Sequence, residues 1–310
     1  MKAIEIHQYG GPEELKYEEA AIPAINPDDV LVRVYASGVN PVDYKVRQGG
    51  YGSGGPSFFP RILGWDFSGV IEKTGSEVTD WKPGDEVFGR PDIPRNGTYA
   101  EYVAVKAGEI ARKPVSIDHK ATSGVALAAL TAWQGLFDHG QLTPGQRVLI
   151  HGAAGGVGTF AIQLAKWKGA YVIGTTSGKN VHFLEELGAS EVINYEEEDF
   201  SEKLSDIDVV LDTLGGKVQE QSLKVLKPGG ILVSTVGIKD EAAVRARGLR
   251  SAAYMAKSLP DQLQQIASLI DAGVVIPVIS RIFPLKDAAE AHRVSEQGHT
   301  RGKIVLQVRE

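Results

Sequence analysis

The 310-residue sequence predicts an α/β protein of two domains, a doubly wound parallel sheet beside a mostly antiparallel β domain. Three observations carry this. First, Val148-Leu149-Ile150-His151 runs into the glycine turn Gly152-Ala153-Ala154-Gly155-Gly156-Val157-Gly158 and from there into a helical pattern. Second, short apolar runs at 171–175, 191–194, 208–212 and 230–234 alternate with helical segments, as parallel strands covered on both faces do. Third, before residue 115 the texture changes to runs at 30–36, 69–73, 86–89 and 99–105, alternating or apolar between Gly and Pro turns, which predict antiparallel pairing with partial barrel character.

The elements follow in order. The chain starts as an alternating strand, Met1-Lys2-Ala3-Ile4-Glu5-Ile6, and residues 49–55, rich in glycine, read as a mobile loop. After the glycine turn, Val157, Ala161, Leu164 and Ala165 give the helix a small-residue face for lying on a sheet. Past 259 come a helix over 261–272, a strand over 274–280, a helix over 285–295 and a strand over 302–308. The expected division is 1–117 with 259–310 as one domain and 118–258 as the other, with a ligand expected in the cleft between them.

The glycine turn is a candidate dinucleotide cradle. A pyrophosphate reaches a helix N-terminus only over a turn without side chains, and glycine provides clearance and access to positive φ. Gly155 and Gly158 are assigned those roles, with Ala154, Gly156 and Val157 between and beside them; Ala153 replaces the first glycine of the usual fingerprint. Strand ends ring such a ligand, which points to Thr175, Asn194, Thr213 and Thr235. No carboxylate closes the second strand, where an NAD-binding chain carries one for the ribose 2′-hydroxyl. Ser177 and Lys179 stand there instead and can donate to a 2′-phosphate, so NADPH is the expected cofactor. The acidic run 196–199 opposes a phosphate electrostatically; it reads as a solvated helix start.

Composition excludes other classes. A net charge of −6 argues against nucleic acid as a main partner, and no apolar stretch reaches membrane-spanning length. Without a signal peptide pattern, a cytoplasmic protein is expected. The chain has no cysteine, hence no disulfide, thiolate nucleophile or cysteine-ligated zinc, and its seven histidines show no metal-binding spacing. Tyr102-Val103-Ala104-Val105-Lys106 matches a Tyr-x-x-x-Lys catalytic dyad only in letters, because that dyad needs a helix and this segment alternates as a strand.

Several motifs in order resemble the medium-chain dehydrogenase/reductases over the full length, and their zinc-free quinone oxidoreductase branch in particular. They are Gly38-Val39-Asn40-Pro41-Val42-Asp43-Tyr44, Gly64-Trp65-Asp66-Phe67-Ser68-Gly69-Val70, Lys82-Pro83-Gly84-Asp85-Glu86-Val87, Ala128-Ala129-Leu130-Thr131-Ala132, the glycine turn, and Gly302-Lys303-Ile304-Val305. The resemblance implies a Rossmann cofactor domain and a GroES-like catalytic domain. Zinc-using members place a ligand Cys where this chain has Asn40 and a His where it has Trp65, so no metal is expected. It further implies Asn40, Asp43, Tyr44 and Tyr51 along the acceptor cleft, and Thr131, Tyr195, Val236 and Arg301 at the cofactor. Lys45 stands where relatives often carry a pocket tyrosine. The implied activity is hydride transfer from NADPH to quinones or related α,β-unsaturated carbonyls, by a homodimer. Two alternatives stay open: an enoyl-thioester reductase using Arg47, Arg61 or Arg301 for a carrier phosphate, and a non-catalytic NADPH-binding protein with a structural or sensing role.

Overall fold

The computed structural model describes residues 1–50 and 58–310. The chain folds into two compact units: Met1–Leu127 with Ser258–Gly273 and Pro277–Glu310, and Ala128–Lys257 with Val274–Ile276. Residues 118–127, which the sequence groups with the cofactor domain, are tied to the first unit, where the Leu127 N–H donates to Asp66 Oδ1 at 2.6 Å.

The second unit is built on a six-stranded parallel sheet. Its order is Glu191–Asn194, Tyr171–Thr176, Arg147–Ile150, Ile207–Asp212, Leu226–Ser234 and Arg250–Ala253. The strand that feeds the glycine turn lies in the middle, and the chain winds outward from it in both directions. The order reverses beside that strand, at the switch point where such sheets bind ligands. Leu149, Ile173, Ile193, Val210 and Leu232 are buried with Phe200, Val225 and Val244 from the covering helices. The strand Arg250–Ala253 was not read from sequence: Arg250-Ser251-Ala252-Ala253 carries no large apolar or β-branched residue, and it takes its place by pairing with Ile231–Ser234.

In the first unit a seven-stranded sheet centres on the long strand Asp29–Val39, which pairs antiparallel with Phe67–Thr74, Tyr102–Lys106 and Lys303–Gln307. A smaller sheet joins Lys2–Ile6 to Lys16–Glu19 and Arg61–Ile62. The expected strand over 99–105 divides between the sheets. Tyr99 and Ala100 pair with Ile4 and Ala3, while Tyr102–Lys106 pairs with Asp29–Arg33. Tyr102 and Lys106 thus sit four residues apart on a strand, separated by roughly 13 Å of backbone rise, too far for a proton-sharing dyad.

The expected strand over 274–280 is displaced to Ile279–Pro284, which runs parallel to Lys303–Gln307. The cause is local. Gln163 binds both polar groups of Ile276, taking its N–H at 2.8 Å and donating to its carbonyl at 3.1 Å, and Pro277 has no N–H to give a ladder.

Candidate cofactor cradle and active site

The glycine turn leads from the central strand into the helix Gly156–Trp167. Positive φ is needed at Gly152, at +63°, and not at Gly155, whose φ of −80° and ψ of −179° any residue adopts. Gly155 supplies clearance: a Cβ there would lie 3.2 Å from the Gly152 carbonyl oxygen. At Gly158 a Cβ would lie 2.5 Å from the Cα of Ala153, so only glycine lets the helix lie this close to the turn. Gly155 is the N-cap and supplies no side-chain cap. The first-turn N–H groups of Gly156, Val157 and Gly158 therefore head a helix whose end suits a pyrophosphate.

Beneath the turn lies a buried polar network that fixes the strand ends. Ser222 Oγ donates to the Val218 carbonyl at 2.7 Å, so it accepts from His151 Nε2 at 2.9 Å, and His151 Nδ1 then accepts from the Thr175 hydroxyl at 3.0 Å. Burial pushes His151 down to about 4 and keeps the ring neutral. Thr175 is buried and its proton is spent inside the protein, leaving only lone pairs to offer a ligand. Thr213 donates to the His151 carbonyl at 3.1 Å, and Thr235 is half-buried. Asp212, which sequence reasoning missed, accepts from the N–H groups of Leu214 and Gly215 and from Gln219 and Ser234, so one buried carboxylate shapes the loops after two strands. A carboxylate closing the apolar run 207–212 was the available signal.

At the end of the second strand Ser177 is buried and accepts from Asn180 Nδ2 at 3.3 Å; Lys179 follows it. Tyr195 is exposed, its N–H bonded to the Thr176 carbonyl at 3.0 Å. The acidic run is only in part a helix start. Asp199 caps the short helix Phe200–Lys203, but Glu196 lies on the preceding turn and accepts the Gly178 N–H at 2.9 Å. Thr131 is buried and its carbonyl accepts from the Tyr254 hydroxyl at 2.5 Å; Val236 is exposed beside Gly215, and Arg301 is exposed in the first unit.

In the first unit Asn40 and Asp43 come together at the start of the helix Pro41–Arg47. Asp43 Oδ2 accepts the Asn40 N–H at 2.7 Å and the Tyr99 hydroxyl at 2.6 Å. Asn40 Nδ2 donates to Asp66 Oδ2 at 2.8 Å, and Asn40 Oδ1 accepts from the buried ammonium of Lys303, which also lies 3.2 Å from Asp66 Oδ2. Both side chains are buried, Asn40 at 4% exposure and Asp43 at none. Behind them Arg47 Nη1 donates to His292 Nδ1 at 3.0 Å, so His292 carries its proton on Nε2 and presents it to the Tyr99 oxygen at 3.2 Å. Burial, aided by Arg47, pushes His292 down to about 3. Burial raises Asp43 to about 7, against the opposing pull of Tyr99, the Asn40 N–H and Lys303. Trp65, at the other expected zinc-ligand position, is fully buried in the apolar core.

Tyr44 is half-buried on the same helix and burial raises its hydroxyl pKa; Lys45 is exposed. Tyr51 lies outside the described residues. Arg47 and Arg61 do not face a carrier phosphate: Arg47 is buried against His292 and Glu296, and Arg61 is buried against the carbonyls of Ile93, Pro94 and Arg95. Among the described residues, Glu5, His7 and Glu18 bring their ligand atoms within 4.8 Å of one another, a grouping the sequence spacing did not reveal because it forms across two paired strands. His7 and Glu18 are hydrogen-bonded to each other there. No helix among the described residues is long and apolar enough to cross a membrane.

Comparison with known proteins gives the family. Residues 26–115 match the alcohol dehydrogenase GroES-like domain and residues 187–306 match the model described as zinc-binding dehydrogenase. The chain is 34% identical to the mitochondrial NAD(P)H oxidoreductase RTN4IP1 of Danio rerio, over all of this chain and 92% of that protein. It is 36% identical to the chloroplastic NADPH-dependent alkenal/one oxidoreductase of Arabidopsis thaliana, over 99% of this chain and 79% of that one. The solved structure of Escherichia coli quinone oxidoreductase complexed with NADPH superposes with a TM-score of 0.89 at 31% identity, covering 99% of this chain and 100% of that one. The chain therefore belongs to the medium-chain dehydrogenase/reductase superfamily, as a quinone oxidoreductase-like member with a Rossmann-type sheet and a GroES-like domain.

Proposed function

We propose that this protein is an NADPH-dependent, metal-free reductase of quinones and related α,β-unsaturated carbonyls. The observation that carries the reading is the bare turn over Gly155 and Gly158 at the head of the helix Gly156–Trp167, whose end suits a pyrophosphate. When bound, NADPH supplies a hydride and becomes NADP; with one proton from water the acceptor gains two electrons.

The chain's own residues bind and orient. Gly156, Val157 and Gly158 would offer the pyrophosphate their backbone N–H groups, Ser177, Lys179 and Tyr195 would hold the 2′-phosphate, and Thr131, Ala154, Thr175, Val236 and Arg301 would complete the cofactor contacts. Charge developing on an acceptor oxygen needs donors rather than a nucleophile, and the hydroxyls of Tyr44 and Tyr51 fill that role. Asn40 and Asp43 act as positioning residues, since their side chains are committed to Lys303, Asp66 and Tyr99. Asn40 and Trp65 in place of zinc ligands, in a chain without cysteine, support chemistry without a metal ion. We propose a homodimer as the working assembly, checked by light scattering. The Danio rerio relative is mitochondrial, and fractionation of the producing cells decides where this protein resides.

The test is oxidation of NADPH, followed by absorbance, with a panel of quinones, conjugated enones and enoyl thioesters. Turnover with quinones or enones supports the reading. Turnover with thioesters alone, or tight NADPH binding with no turnover at all, replaces it with one of the two alternatives.

A further inference from the structure

We propose that Glu196 sets the balance between the two nicotinamide cofactors, by holding the Gly178 amide that a ribose 2′-phosphate would use. The inference rests on the reading that Ser177 and Lys179 receive that phosphate. Gly178 lies between these two residues, and its N–H donates to Glu196 Oε2 at 2.9 Å. A Cβ on Gly178 would stand 3.2 Å from the same oxygen and 3.1 Å from Asn194 Nδ2, so the carboxylate is packed directly against the glycine. The turn that delivers it is anchored, with the Tyr195 N–H on the Thr176 carbonyl at 3.0 Å and the Glu196 N–H on Asn194 Oδ1 at 3.2 Å.

An anionic oxygen of the protein itself thus sits where a phosphate oxygen would be received. The two cofactors meet it differently. A ribose 2′-hydroxyl is a donor, and a carboxylate is the acceptor that NAD-binding folds provide for it. A 2′-phosphate brings like charge and needs the same N–H, so Glu196 must turn out into solvent before the phosphate can be held. Its side chain is exposed and free to do so. Ser177 and Lys179 therefore favour NADPH while Glu196, from a different strand end, favours NADH, and the measured preference is the difference between them.

Glu196→Gln and Glu196→Ala, both at an exposed position, test this in the full chain by fluorescence titration with NADPH and with NADH at fixed ionic strength. NADPH should bind roughly 3- to 10-fold more tightly in Glu196→Ala, which removes one exposed like charge and releases the Gly178 donor, and more tightly by a smaller factor in Glu196→Gln, whose amide oxygen still accepts that N–H. NADH should bind equally or more weakly. An unchanged ratio of the two dissociation constants, or a shift toward NADH, overturns the role of Glu196. Lys179→Ala, titrated in parallel, separates the two levels. If it weakens NADPH while the Glu196 variants leave the ratio alone, only the Glu196 role falls; if it leaves NADPH binding unchanged, the phosphate site is misplaced and both fall.

Discussion

A Cβ on Gly158 would stand 2.5 Å from the Cα of Ala153, a backbone atom that cannot turn aside. The two residues fix how closely the helix lies against the turn, and their separation distinguishes what each glycine does. Gly158→Ala should destabilise the fold by about 1–3 kcal/mol through overpacking. Gly155→Val should leave the fold intact, its Cβ 3.2 Å from the Gly152 carbonyl oxygen, and abolish NADPH binding, because the branched side chain would take the space at the helix N-terminus that the pyrophosphate needs. Calorimetry and cofactor titration on both variants check this; NADPH binding by Gly155→Val at wild-type strength would remove the cradle.

Lys179→Ala should weaken NADPH roughly 10- to 100-fold and leave NADH nearly unchanged, as expected for loss of a charge-assisted hydrogen bond of about 1.5–3 kcal/mol. Equal losses for both cofactors in the titration would show that Lys179 does not meet the 2′-phosphate.

Lys303 and Asp66 form a buried ion pair at 3.2 Å, both below 5% exposure. Lys303→Met leaves Asp66 charged, buried and short of its cation, at a cost of about 3–5 kcal/mol. The melting temperature should fall by roughly 5–8 °C, with part of the loss restored in the double variant Lys303→Met/Asp66→Asn. A shift below about 2 °C in the single variant would mean that the pair carries no net structural role.

The buried titratable groups pull stability in opposite directions with pH. Asp43, raised to about 7, keeps its proton in the folded state while the unfolded chain has lost it above 3.8, so its stabilising share disappears as pH rises toward 7. His151 and His292, lowered to about 4 and about 3, are neutral when folded while the unfolded chain is protonated below 6.5, so their share is lost as pH falls through that range. Near pH 5 the three together leave the unfolded chain one proton richer, a slope of about 1.4 kcal/mol per pH unit, rising to about 2.7 when Asp43→Asn removes the opposing group. Urea unfolding between pH 4.5 and 6 measures both slopes. A variant slope equal to or shallower than wild type would contradict the assignment of Asp43.

Much of this was legible in the sequence, and the exceptions have causes. Apolar runs placed five of the six parallel strands because buried parallel strands are apolar throughout; Arg250–Ala253 escaped because its register comes from its neighbour. The glycine turn was legible as a turn into a helix, but its positive φ belongs to Gly152, since the turn's backbone path is not written in glycine spacing. The resemblance put Asn40 and Asp43 along one cleft with Tyr44 and Tyr51, but Tyr99, His292 and Lys303, which hold them, come from up to 263 residues away. Only the fold brings such partners together. Glu196 was weighed as a solvated acid because nothing local says that its side chain returns to Gly178.

The most direct test of the central claim follows the hydride itself. NADPH carrying deuterium at C4, prepared in each of its two epimers, is oxidised by the protein with a conjugated enone, and the product is read by NMR and mass spectrometry. The account predicts one deuterium at the product's β-carbon from one epimer and none from the other. Enone consumed without deuterium in the product from either epimer, or no NADPH consumed with any enone or quinone, would contradict it.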